Sequence, residues 1–210
     1  MICAFLVGHG IGSGVLPGIV LAAGDSKRMG SPKALLLTPD GRPFVTRIVE
    51  TLHDAGIVQL VVVTGRDHEA LVKVLSRAHV KPLIVRNVDP ARGQLSSLWV
   101  GMDAVVNADT EGILVTLVDV PMVAASTVTR VVTAWRRTRA PIVRPAIGDR
   151  HGHPVIFDRS VLDSLRGAPI DAGAKTVVRA HERDLLNVPV DDEGCLVDVD
   201  TPDEYRKLIP

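Results

Sequence analysis

Three unbroken apolar runs restrict what this chain can fold into more than any other feature. Gly18 to Ala23 (GIVLAA), Gln59 to Thr64 (QLVVVT) and Gly112 to Pro121 (GILVTLVDVP) carry β-branched residues at successive positions, not alternate ones. A strand with one wet face would alternate. A strand apolar at every position must be covered on both faces, as in a parallel sheet between two helical layers. Apolar residues make up 46% of the chain and aromatics only 3%, so Val, Leu, Ile and Ala must fill the core. Between the runs, Phe44, Ile48, Leu52 and Ala55 share one helical face that Gly56 closes. A helix is expected from about Asp67 to His79, a short strand over Pro82 to Val85, a helix over Ser126 to Arg139 and a strand over Pro141 to Pro145. This alternation suits right-handed βαβ crossovers. The predicted fold is therefore a single Rossmann-like three-layer α/β domain with a mostly parallel open sheet.

The 210 residues suit one such domain, which can bury roughly 70% of its unfolded surface. Formal net charge is zero and there is no basic tail, which argues against a nucleic-acid or membrane-surface partner. Cys3 and Cys195 lie far apart and make no metal spacing, as expected of reduced thiols in a cytoplasmic protein. Met1 to Pro17 is apolar and glycine-rich without Lys or Arg. It lacks the positive start of a secretory signal, and a membrane span would want about 20 residues with fewer glycines. Gly8, Gly10, Gly12 and Gly14 hint at a dinucleotide fingerprint, but its third glycine falls on Ser13 and a proline follows where a helix should begin. The expectation is a flexible leader over 1–17, with a short extra strand as the alternative, and a folded domain over 18–210.

The first run stops at Gly24 and enters a turn carrying Ser26, Lys27, Arg28 and Gly30, with Lys33 just beyond. Small residues let backbone N–H groups converge on one anion. Arg28 can grip phosphate oxygens bidentately, and Lys33 is a mobile point charge. The turn is either a phosphate cradle or an ordinary βα connection with solvated charges. Further on, Asn87 to Met102 leads through Arg92 and Gly93 into a helix whose first turn holds Gln94, Ser96 and Ser97. Those hydroxyls suit either an N-cap or an anion contact. Asp119 ends the third run at the sheet edge where open parallel sheets bind ligands; it either caps the next helix or holds a divalent cation.

Nearer the C-terminus, His151 and His153 alternate on an extended segment, but no third metal ligand lies nearby in sequence. Asp171 and Gly173 precede a helix expected to run to about Arg183. Asp198 and Asp200 sit two residues apart, facing one way, and two carboxylates so placed repel unless something positive lies between them. Thr201 and Pro202 also read as the cap and first position of a last helix, so the segment can serve both purposes.

The string L-A-A-G-x-S-x-R-M-G-x-P-K, Leu21 to Lys33, resembles the signature of nucleotidyltransferases that use a nucleoside triphosphate and release pyrophosphate. It is most similar to the MobA-like group, and within that to the branch that attaches a cytidine nucleotide to molybdopterin. The resemblance implies a nucleoside-diphospho-sugar transferase type of fold. It implies nucleotide contacts from Leu21, Ala22, Ala23, Gly24, Ser26, Gly30, Asn87, Gly93 and Ser97, and catalytic roles for Arg28 and Lys33. Asp119, Asp198 and Asp200 would hold Mg²⁺, with Mn²⁺ as a substitute. The G-H-P string puts His153 and Pro154 in the acceptor half, with Asp171 and Lys175 from a G-D-x-G-A-R-like segment in which Lys175 replaces arginine. Guanylyl-transferring relatives tend to have glycine where this chain has Ala23, so CTP is the expected nucleotide. The implied reaction is attack by the terminal phosphate of molybdopterin on the α-phosphorus, the product passing to a molybdoenzyme or its chaperone. The rivals are transfer of guanylate or another nucleotide, a non-catalytic nucleotide-binding protein, and an NAD-dependent dehydrogenase, against which the failed fingerprint counts.

Overall fold

The structure is a computed structural model that describes residues 14–26 and 28–209. Eight strands form one sheet: β1 (Gly18–Ala22), β2 (Leu60–Thr64), β3 (Leu83–Arg86), β4 (Gly112–Leu117), β5 (Ile142–Ile147), β6 (Arg150–His151), β7 (Val155–Asp158) and β8 (Leu186–Pro189). Seven helices accompany them: α1 (Phe44–Asp54), α2 (His68–Leu75), α3 (Gln94–Val105), α4 (Ala125–Thr138), α5 (Leu162–Gly167), α6 (Lys175–Ala180) and α7 (Pro202–Leu208).

The sheet runs β3-β2-β1-β4-β7-β5, with β6 beside β7 on one side of β5 and β8 on the other. β1 to β4 are mutually parallel, β7 runs antiparallel between β4 and β5, and β8 lies parallel to β5. The sheet is thus mostly parallel but mixed. Only two residues, Gly148 and Asp149, join β5 to β6, far too few for a crossover, so this part of the chain must return antiparallel.

Both sheet faces are covered, as the unbroken apolar runs require. Val20, Val62, Leu114 and Ile156 pack toward Phe44 and Ile48 of α1, Leu71 of α2 and Trp135 of α4. Ile19, Val61, Val63 and Val115 point the opposite way, toward Leu95 and Met102 of α3, Leu165 of α5 and Val177 of α6. This is the period-two alternation of a strand, with apolar residues in both registers. The expected α2 is shorter than its apolar pattern suggested, ending at Leu75, and the helix foreseen up to Arg183 is only the six residues of α6.

Residues 1–13 of the leader lie outside the described residues. Its last residues pack on the domain: Val15 bridges Thr110, its N–H donating to the Asp109 carbonyl at 2.9 Å, and Leu16 is buried. Among the described residues, no helix is long and apolar enough to cross a membrane.

Candidate active site

Strand order decides where a ligand can sit. The chain winds outward from β1 to β2 to β3, then returns through α3 to place β4 on the other side of β1. The loops leaving β1 and β4 therefore diverge, and a crevice opens between them at the carboxyl ends of the strands. Into it project the turn after β1, Asp119 after β4, and the start of α3, around a cavity of about 260 Å³.

Local chemistry shapes the turn. Ser26 takes φ 49°, its carbonyl accepts from Met29 N–H at 3.0 Å and Gly30 N–H at 3.2 Å, and its hydroxyl accepts from Lys33 N–H at 3.0 Å. The hydroxyl of Ser26 thus pins the start of the Lys33 turn. On the neighbouring strand end, Gly65 is obligatory, because a Cβ there would lie 2.6 Å from the Ala23 carbonyl oxygen. Across the crevice, Gly93 adopts φ 104°, which an L side chain rarely tolerates, and turns the chain into α3.

Charges converge at the cavity's inner end. Lys33 Nζ donates to Asp119 Oδ2 at 3.2 Å and also to Asp200 Oδ1, while Arg28 Nη2 donates to Asp200 Oδ2. Burial opposes the Lys33 charge, but the bonds to Asp200 and Asp119 outweigh it and raise its pKa above the ordinary value. Lys33, followed by Arg28, holds the Asp200 carboxyl below the usual range. Partial burial, and then the like charges of Asp119 and Asp200, push Asp198 upward. The three acids therefore share one field. Val199, buried between Asp198 and Asp200, ties them to the β4 end through its N–H to the Asp119 carbonyl at 2.8 Å. The capping reading of this segment also holds: Thr201 caps α7 in a full capping box with Glu204, which leaves the Asp200 carboxylate to Lys33 and Arg28.

These residues fit a divalent cation. Asp119 Oδ1 is buried without a hydrogen-bond partner, an acceptor left for something positive, and Asp198 is an acid raised by burial first and then by its acidic neighbours. Among the described residues no three His, Cys, Asp or Glu side chains are grouped tightly enough to hold a metal alone.

A second cavity, about 470 Å³, adjoins the first, sharing Leu21, Gln94 and Leu117 as its boundary. His153 stands in it with Nδ1 buried and unpartnered. Burial lowers the His153 pKa, which the Val115 carbonyl and Asp119 only partly offset, so the ring is neutral at physiological pH and Nδ1 is available to a donor.

The residues singled out from sequence fall into two groups. Leu21, Ala22, Ala23, Gly24, Ser26, Arg28, Lys33, Gly93, Ser97, Asp119 and Asp200 line the first cavity, and His153 and Lys175 line the second. Gly30, Asn87, Pro154, Asp171 and Asp198 line neither. Asn87 lies beneath the α3 loop: its side-chain amide donates to Ser96 Oγ at 2.9 Å and Ser97 Oγ at 3.0 Å, and its oxygen accepts from Asp89 N–H at 3.0 Å. It positions Ser97. Asp171 is exposed on the Pro169–Gly173 turn before α6. Sequence reasoning placed Gln94 at the start of α3 without giving it a role and passed over Asp67, Arg144 and Arg179, all cavity residues. Arg144, alone as a charge within the apolar β5 string IVRPAI, was the one with a signal.

A mostly parallel α/β sheet whose switch point brings together a glycine-bearing turn, a strand-end acid and two cations is the arrangement of the nucleotidyltransferase class. The chain belongs to the MobA-like NTP transferase domain family, matched over residues 18–185. It is 32% identical over 199 residues to nicotine blue oxidoreductase of Paenarthrobacter nicotinovorans, covering 91% of this chain and 95% of the relative. It is 28% identical to a probable molybdenum cofactor guanylyltransferase of Mycobacterium ulcerans, covering 89% of each. The crystal structure of Rv0371c from Mycobacterium tuberculosis H37Rv superposes with a TM-score of 0.78 at 31% identity, over 93% of this chain and 97% of that one. The same protein has been solved in complex with manganese, with a TM-score of 0.73 at 28% identity over 93% and 98%.

Proposed function

We propose that this protein transfers CMP from CTP to the terminal phosphate of a molybdopterin-type acceptor, with release of pyrophosphate. The observation that carries the reading is the meeting of Lys33, Arg28, Asp119 and Asp200 at one end of a cavity that continues past Gln94 into a second. One cavity takes the nucleotide and the other the acceptor, and the reacting phosphates meet at the junction. The likeness to a probable molybdenum cofactor guanylyltransferase supports the acceptor class.

The acceptor oxygen attacks the α-phosphorus, a new P–O bond forms, the bond to the bridging oxygen breaks, and the electron pair leaves on pyrophosphate. Catalysis here is positioning and charge. N–H groups of the turn after β1 face the triphosphate. Lys33 and Arg28 exchange their carboxylate partners for phosphate oxygens and stabilise charge on the reacting phosphate and the leaving group. An ionised acceptor phosphate needs no general base, and neutral His153 orients it by accepting from a donor on its body. Asp119, with Asp198 or Asp200, would hold Mg²⁺ or Mn²⁺, which neutralises phosphate charge when bound.

Ala23, 5% exposed in the first cavity, carries the base choice: its methyl leaves less room than the glycine of guanylyl-transferring relatives. The experiment incubates the protein with each of the four triphosphates, Mg²⁺ and molybdopterin and follows pyrophosphate. CTP is expected to lead, and Ala23→Gly to shift preference toward GTP; a wild-type preference for GTP overturns the base assignment. The relative named as an oxidoreductase favours one second reading, in which the phosphate turn takes a nicotinamide dinucleotide. Quenching of protein fluorescence by NADH with no pyrophosphate from any triphosphate would select it.

A further inference from the structure

The second cavity is electrically unbalanced. Its floor is apolar, built from Leu95, Leu98, Val115, Val155, Phe157 and Leu185. Its far wall carries Arg144 from β5 and Lys175 and Arg179 from α6, against the single acid Glu182. That is three cations to one anion, a surplus of two in a protein whose formal net charge is zero. Arg144 is held rather than swinging free, because its Nε donates to Asn187 Oδ1 at 2.9 Å across the β5–β8 pairing. Burial lowers its pKa, with Glu182 offsetting only part of the effect. His151, lowered by burial and then by the Arg144 charge, adds a neutral imidazole to the same wall. A half-buried guanidinium that shares one cavity with two more cations calls for an anion in that cavity.

Position says which anion. Asp119 and Lys33 stand beyond the β4 end, whereas Arg144 is on β5, with β7 between and level with Val115; two strand spacings set its backbone about 10 Å to the side, and the run of chain from Val115 to Asp119 adds to that along the strands. One phosphate group cannot serve both ends. We propose that Arg144, Arg179 and Lys175 form an anion site for a second acidic group on the acceptor, so that the substrate class is an elongated molecule with a flat apolar body, a nucleophilic phosphate at one end and another anionic group at the other. The proposal rests on the acceptor reading above, and it adds the residues that select for length and charge.

The test uses two probes of the same ring system, 1-anilinonaphthalene-8-sulfonate, which is anionic, and N-phenyl-1-naphthylamine, which is neutral, titrated by fluorescence into the whole protein. The wild type is expected to bind the sulfonate at least about tenfold more tightly than the neutral probe. Arg144→Gln with Arg179→Gln should remove that discrimination while leaving CTP affinity unchanged, and the single Arg179→Gln, on exposed α6, should remove part of it. Lysine at both positions should retain it, and Arg136→Gln with Arg137→Gln, on the exposed face of α4, should not touch it. Equal affinity of the wild type for both probes, or discrimination that survives the glutamine pair, overturns the proposal. Failure of any triphosphate to bind would instead refute the transferase reading and leave the probe result standing.

Discussion

Lys33 is where the reading of the site can be broken most directly. Lys33→Met keeps the aliphatic stem and removes only the ammonium, leaving Asp119, Asp198 and Asp200 to share Arg28. A hydrogen bond to a charged group contributes about 1.5–3 kcal/mol, so two would bound the loss near 3–6 kcal/mol in a dry site. The site is not dry: the Asp119 and Asp200 side chains are 22% and 29% exposed, although that of Lys33 is only 13% exposed. Solvent screening brings the expected destabilisation to about 1–3 kcal/mol. For a chain of this size each kcal/mol moves Tm by about 2–4 °C, so the variant should melt roughly 2–12 °C lower in EDTA. Saturating Mn²⁺ replaces the missing positive charge among the three acids. It should therefore raise the variant's Tm by more than it raises the parent's, while turnover falls about 10²–10³-fold. Differential scanning fluorimetry with and without Mn²⁺ reads the first two effects and pyrophosphate release the third. A variant melting within about 1 °C of the parent in EDTA, with the same Mn²⁺ response, would show that the carboxylates do not converge on Lys33.

Two further outcomes probe the scaffold. α3 lies so close to the sheet that a Cβ at Gly101 would sit 2.7 Å from Ile19 Cγ2 and 3.0 Å from Val63 Cγ2. Gly101→Val should lower stability by about 1–3 kcal/mol in urea titrations and, by lifting the helix that carries Gly93 and Ser97, weaken nucleotide binding although residue 101 touches no ligand. Burial pushes the Cys195 thiol up to about 11, so in a Cys3→Ser background only about 0.1% is thiolate at pH 8. Cys195 should then react with 5,5′-dithiobis(2-nitrobenzoic acid) at the rate of global or local opening, and a fast burst would contradict its burial.

What the amino-acid string disclosed, and what it did not, follows from the range of each interaction. β1, β2 and β4 were legible because both-face burial writes itself into consecutive apolar residues, and the turn after β1 because its donors lie within one short stretch. Lys33, Asp119 and Asp200 were nameable individually, yet the contacts of Lys33 with the two acids span 86 and 167 positions, separations that no local pattern encodes. Asn87 shows a subtler limit. A polar residue at a strand end reads alike whether it faces a ligand or holds the loop that does, and its bonds to Ser96 and Ser97, set by how α3 docks, are not written in the local string. The antiparallel β7 was in principle deducible from the two-residue link between β5 and β6, and its position between β4 and β5 is what sets the spacing of the second cavity. Arg144 is level with Val115 rather than with Asp119, so the strand inserted between β4 and β5 adds about 5 Å sideways to a separation that already runs along the strands. A single phosphate is too small to span both charge clusters. The inserted strand and the register together therefore set how long an acceptor must be to reach both of the proposed anion sites.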